Sequence, residues 1–160
     1  MDDKIHDRAL RLLGARQRTC KEMRDRLTRA GFEAEATDAE VARLLAARLL
    51  DDEQFAREFV RHSGAKGAGT RLIRSQLLQK GVARDLVDDA LGAMEAAHNE
   101  DDRALALAEA RVPHLRNLDA GTLRRRLVEF LTRRGYSWET AARAADTAIS
   151  AATLPGPTQG

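Results

Sequence analysis

Apolar residues recur at four-residue spacing along the chain, and one such element appears three times. It reads Met23, Leu27, Gly31, Phe32, then Ile73, Leu77, Gly81, Val82, then Leu127, Leu131, Gly135, Tyr136. An i, i+4 apolar pair marks one face of a helix. Glycine followed by an apolar residue marks its end, because glycine adopts the left-handed conformation and the next side chain packs back on the helix. A second element precedes each of these. Arg8–Arg16 matches Arg103–Arg111 at six of nine positions, and Gln54–His62 is a divergent copy that places Phe55 and Phe59 in the core.

A third helix follows each glycine. Its face is Val41, Leu44, Leu45 and Leu49 in the first copy. Leu86, Val87, Ala90, Leu91 and Met94 form it in the second, and Ala142, Ala145, Ala148 and Ile149 in the third. Start signals agree with this division. Thr19 with Glu22, and Thr37 with Glu40, have the spacing of capping boxes, in which each residue satisfies an orphan N–H. Asp51-Asp52 and Asn99–Asp102 put acidic residues at the positive end of a helix dipole.

The pattern predicts an all-α fold with no strand, made of three tandem three-helix repeats at residues 5–50, 51–98 and 99–152. A disordered tail at 153–160 completes the chain, with two prolines and two glycines. A short helix hairpin cannot bury both faces, so each repeat must lean on its neighbour. An elongated, curved molecule is the expected result.

Composition supports helix and sets its character. Hydrophobic residues are 43% and charged residues 32%, which is globular, but aromatics are only 4%. Alanine, leucine and arginine dominate, and they lose little side-chain freedom in a helix. The single cysteine, Cys20, cannot form an internal disulfide and fits a reducing compartment. No apolar run could span a bilayer, and the acidic, polar start is unlike a signal peptide. The expectation is a cytoplasmic monomer with no membrane association.

Charge is segregated although the net value is only +2. Segments 16–31, 61–84 and 111–134 carry net charges of +4, +6 and +5, leaving −13 on the rest of the chain. The basic charge therefore concentrates on the second helix of every repeat and the loop leading into it. A positive strip of this kind attracts a phosphate backbone or an acidic protein groove, and salt weakens the attraction. The plainer reading is a set of solvated arginine-rich faces, which the threefold recurrence argues against.

No nucleotide-binding glycine loop or nucleophile elbow is present. Gly64–Gly69 is glycine-rich, but no strand precedes it and no Lys-Thr pair closes it, so it reads as a flexible basic loop. His6, His62, His98 and His114 are far apart, which gives no basis for a zinc site. Cys20 lies beside Lys21 at a helix start, where a thiol could be acidified, but no histidine partner is evident and it reads as inert. The paired acids Asp51-Asp52 and Asp101-Asp102 are explained by capping; Asp88-Asp89 carries no further signal. Neither a cofactor nor catalysis is expected.

With the repeats laid out, the chain resembles the RecX family, bacterial regulators of the RecA recombinase. Three stretches carry the likeness: Arg18–Leu27 leading to Gly31-Phe32, Leu49–Ala56 with its Asp51-Asp52 pair, and Leu131–Ser137. Arg48 stands where the family often has glycine, Tyr136 where phenylalanine is usual, and Trp138 lies outside the pattern. The resemblance implies a protein that docks in the groove of the RecA–DNA filament and damps strand exchange, ATP hydrolysis and coprotease activity. Its partners would be the RecA filament and, through weak backbone contacts, DNA. Arg24, Arg71, Arg74, Lys80, Arg124, Arg125, Arg133 and Arg134 are the residues assigned to that binding. Two competing readings are a stand-alone helix-turn-helix DNA-binding protein and a helical scaffold whose basic strip is incidental.

Overall fold

The computed structural model describes residues 2–153. Among them are nine α-helices and no strand. The first repeat holds α1 (Asp2–Ala15), α2 (Cys20–Arg29) and α3 (Ala34–Ala46). The second holds α4 (Asp52–Ala65), α5 (Thr70–Gln79) and α6 (Arg84–Ala97). The third holds α7 (Glu100–Arg111), α8 (Ala120–Arg133) and α9 (Trp138–Thr153), with a 3₁₀ turn at Val112–Leu115 between the first two. The all-α fold of three three-helix repeats is therefore as the sequence pattern predicts. Thr153, read as the first residue of the tail, instead closes α9, its hydroxyl donating to the Ile149 and Ser150 carbonyls. Residues 154–160 of that expectation lie outside the described residues.

The six apolar positions that precede the glycines of the recurring element, Met23, Leu27, Ile73, Leu77, Leu127 and Leu131, are all completely buried. In the first repeat they join Ile5, Ala9, Val41, Leu44 and Leu50. In the third the core is built largely of alanine, with Ala104, Ala108, Ala141, Ala145 and Ala148 around Leu123, Leu127 and Tyr136. Small side chains let α7, α8 and α9 approach closely, so an aromatic-poor chain still closes a core.

The packing divides the chain into two compact units rather than three. One is Met1–Val60 with Arg74–Leu91, and the other is Arg61–Ile73 with Gly92–Gly160. Helices α4, α5 and α6 thus each give residues to both. The reason is a junction between consecutive repeats that occurs once in each unit.

In the first unit the end of α5 meets the start of α2. The Thr19 hydroxyl donates to the Lys80 carbonyl at 2.5 Å, and a Cβ on Gly81 would lie 2.4 Å from Cβ of Lys21. Asp52, the first residue of α4, accepts from the free N–H of Cys20 at 2.9 Å. In the second unit the end of α8 meets the start of α5. Gly69 N–H donates to the Arg134 carbonyl at 2.7 Å, and Arg71 N–H to the Gly135 carbonyl at 3.2 Å. Glu100, the first residue of α7, accepts from Thr70 N–H at 3.1 Å. Each junction sets the negative end of one helix on the positive end of another and adds a carboxylate to an orphan donor.

Thr19 serves the first junction twice. Its side chain also accepts from Glu22 N–H, while Glu22 accepts from Thr19 N–H, so the expected capping box is present. Thr19→Ala removes both roles and is expected to cost about 1–2 kcal/mol, measurable as a drop in urea midpoint.

The expected second capping box is absent. Helix α3 begins at Ala34 with Glu33 as its N-cap, so Thr37 and Glu40 lie inside the helix, not at its start. Alanines 34 and 36 favour helix strongly enough to extend it before Thr37. Both residues turn inward, where Glu40 is only 4% exposed and meets Nδ1 of His6 at 2.7 Å. Leu45 and Leu49, assigned to the core face of this helix, are exposed instead. The helix ends at Ala46, and the turn after it buries Leu50 in place of Leu49. Phe59 is half-buried, stacked on buried Phe55 at 6.0 Å between centroids.

Gly64–Gly69, expected to be a flexible loop, is packed at its glycines, while Ala65 and Lys66 between them are exposed. Its first two residues finish α4, and a Cβ on Gly69 would stand 2.4 Å from the Gly135 carbonyl carbon. Glycine is required there by proximity of two backbones.

Candidate functional site

The eight arginine and lysine residues singled out on the second helices fall into two groups. Five are engaged within their own unit. Arg24 Nε donates to Asp38 at 2.8 Å, Arg74 pairs with Asp88, and Arg124 grips Asp146 through two bonds of 2.6 and 3.1 Å. These three form a series, each tying a repeat's second helix to its third. In the first two repeats the pair lies seven residues before and seven after the terminating glycine. In the third, whose second helix has 14 residues against 10, it moves one turn outward on both.

Lys80 reaches Glu22 at 3.1 Å and sits 5.8 Å from the Phe59 ring centroid. Burial disfavours the Glu22 charge, but hydrogen bonds from Arg16 and Lys80 outweigh it and hold the carboxyl below its ordinary value. Arg134 donates to the Lys66 carbonyl at 2.7 Å and lies 5.1 Å from the Phe130 ring. Part of the segregated charge is therefore internal. The acidic third helices answer the basic second ones.

Arg71, Arg125 and Arg133 form the other group. All three are exposed, and none has a side-chain partner among the described residues. The same holds for Arg26 and Arg29 on α2 and Arg126 on α8, which sequence reasoning did not single out. Their positions carry a signal. Met23 and Leu27 place the α2 core face, and Arg29 lies on the far side of the helix from it. Arg24, chosen from the sequence, borders the core face on the side where α3 packs.

In the second unit, Arg125 lines an open depression together with Arg124, Val128, Thr132 and Trp138. Trp138, the single tryptophan, is 62% exposed there. The depression is shallow and mixed in polarity, which suits contact with a macromolecular surface better than enclosure of a small molecule. Among the described residues no three His, Cys, Asp or Glu side chains converge as a metal site, and no helix is long and apolar enough to cross a membrane.

Cys20 is buried, and burial, followed by the neighbouring Asp52 carboxylate, pushes its thiol up to about 11. Lys21 beside it in sequence does not acidify it, because that ammonium turns away to Asp25 at 2.8 Å. A thiol held protonated is a poor nucleophile. Its alkylation by iodoacetamide near neutral pH is expected to run at least roughly a hundredfold slower than for a free thiol, rising to the free rate in denaturant.

Comparison with known proteins follows the same three-part division. The chain matches family models for the first, second and third three-helix domains of RecX over residues 6–44, 51–91 and 99–144. It is 37% identical over 130 residues to the regulatory protein RecX of Mycobacterium avium (strain 104), covering 80% of this chain and 75% of the relative. It is 31% identical over 138 residues to that of Clostridium botulinum (strain Alaska E43 / Type E3). That match covers 85% of this chain but spans only 64% of the relative's length. The crystal structure of RecX from Lactobacillus salivarius superposes with a TM-score of 0.78 at 22% identity, covering 94% of this chain and 95% of the other. A second crystal structure of a regulatory protein RecX gives 0.77 at 25% identity, covering 91% and 71%.

Proposed function

Because the chain belongs to the RecX family, we propose that it acts in the cytoplasm as a monomeric, non-enzymatic regulator. It docks in the groove of the RecA–DNA filament and damps recombinase, ATPase and coprotease activity. The observation that carries this reading is the set of exposed arginines without internal partners on the second helices. A groove lined by phosphates and acidic side chains supplies the anions that Arg71, Arg125 and Arg133 lack within the protein.

The five engaged residues, Arg24, Arg74, Lys80, Arg124 and Arg134, contribute less. Each would have to exchange an internal partner for an external one, which leaves a small net gain even though exposed ion pairs are weak. DNA contacts on this reading follow the backbone and carry no base specificity.

The test is to titrate the protein into RecA filaments formed on single-stranded DNA and follow ATP hydrolysis. A fall in rate at or below equimolar protein is expected. An unchanged rate, with tight sequence-specific binding to free duplex, would favour the helix-turn-helix reading instead.

A further inference from the structure

Four glycines have left-handed backbones, at Gly31, Gly67, Gly81 and Gly135. Each ends a helix in the same way. The N–H after the glycine bonds back to the carbonyl five residues earlier, as from Phe32 to Leu27 and from Tyr136 to Leu131. Helix α3 ends with the same closure, Leu49 N–H donating to the Leu44 carbonyl at 2.9 Å and Arg48 N–H to Leu45 at 3.0 Å. The left-handed residue here, at φ +54°, is Arg48. A side chain in this conformation costs stability that glycine would not. The Arg48 guanidinium makes no hydrogen bond or ion pair among the described residues that could offset the cost. Strain without an internal return points outward.

Arg48 lines a small cleft of about 100 Å³ together with Arg18, Leu49, Asp51, Gln54 and Phe55, all within the first unit. Arg18 is only 8% exposed. Its Nε donates to the Leu12 carbonyl at 3.1 Å, but its Nη1 is buried with no partner. That Nη1 lies out of solvent's reach, so Arg18 can meet a ligand only through its remaining, slightly exposed surface. Asp51 uses one carboxylate oxygen to cap α4 through Gln54 N–H at 2.9 Å. Two arginines, Arg48 exposed and Arg18 nearly buried, thus line the cleft together with one aspartate. Leu49, 48% exposed, forms the rim, and Leu45, 43% exposed, lies one helical turn before it.

We propose that this cleft receives a carboxylate side chain from a partner protein, next to an apolar side chain that covers Leu49. The fit rests on three features. A planar guanidinium matches a carboxylate in shape and charge. A space of this size holds about three waters, enough for a carboxylate head. The exposed Leu49 at the rim favours a protein segment over a nucleic-acid backbone. The partner is defined by this chemistry, and the inference does not depend on the filament reading.

The experiment uses ¹⁵N-labelled full chain and a probe, acetyl-Leu-Glu-Leu-amide, with acetyl-Leu-Gln-Leu-amide as its neutral counterpart. The Arg18 Nε–Hε signal and the Leu49 and Gln54 amides are followed by NMR. The glutamate peptide should give saturable shifts with millimolar affinity, at least about tenfold tighter than the glutamine peptide. Arg48→Gly should weaken binding by a similar factor while raising Tm by roughly 2–4 °C, since it relieves the backbone. That opposite movement of stability and binding keeps a folding defect from imitating the result. Equal binding of the two peptides, unchanged binding by Arg48→Gly, or equal shifts with inorganic phosphate would overturn the proposal. None of these readouts uses RecA, so failure here is separate from failure of filament binding.

Discussion

Replacing Gly135 with alanine is expected to destabilise the protein by about 3–5 kcal/mol, whereas the same change at Gly31 should cost about 1–2 kcal/mol. Both glycines end the second helix of a repeat with a left-handed backbone, at φ 96° and 90°. A side chain in that conformation carries the same penalty at both sites. Their surroundings differ. A Cβ on Gly31 would meet nothing within 4 Å. A Cβ on Gly135 would lie 2.4 Å from Cβ of Leu72 and 2.6 Å from its backbone nitrogen. Backbone cannot swing aside as a flexible side chain can, so the junction between α8 and α5 must open, and overpacking adds to the conformational cost. The hydrogen bonds from Gly69 and Arg71 into the end of α8 would stretch with it. Urea denaturation of the two variants checks the prediction. Equal destabilisation would mean that the junction contributes nothing beyond helix termination.

The second large effect concerns charge. Reversing Arg71, Arg125 and Arg133 together to glutamate is expected to weaken binding to RecA filaments at least about a hundredfold near physiological salt. Helical content should stay as it is, because these side chains are exposed and make no internal pair among the described residues. For each phosphate that the variant no longer neutralises, the slope of log affinity against log salt should fall by about one. The control is the paired set Arg24, Arg74 and Arg124. Reversing those three should weaken binding less and lower stability more, because Asp38, Asp88 and Asp146 would then face like charges. Filament binding by fluorescence anisotropy and thermal unfolding of both triple variants separate the two groups. If the paired set proves the more important for binding, the division between internal and external charge is wrong.

The repeats were legible because their signals are local. An apolar face and its terminating glycine lie within a few turns of one another, and all six positions of that face are buried. The first capping box was legible for the same reason. What the sequence could not show depends on register between helices. Asp51-Asp52 read as capping and repeat-junction residues, and Asp51 caps α4, but the sequence could not name Cys20 N–H as the group the Asp52 carboxylate meets across the junction. Arg24, Arg74 and Arg124 read as free charge because their partners lie 14, 14 and 22 residues away on another helix. Thr37 and Glu40 had the right spacing for a cap, but the alanines before them carry the helix past that point. Arg48's immediate neighbours gave no sign of its backbone conformation; the one hint was that it stands where the resembled family often has glycine. The second helices were correctly seen as basic, and geometry was needed to tell which of their charges remain free.

On the proposed reading this chain binds a recombinase filament through exposed arginines rather than reading DNA by itself. Co-sedimentation with RecA filaments preassembled on single-stranded DNA tests it most directly, with the same DNA lacking RecA as the reference. Saturable recovery with the filament, falling as salt rises, and much weaker recovery with DNA alone are expected. Recovery no greater with the filament than with bare DNA would contradict it.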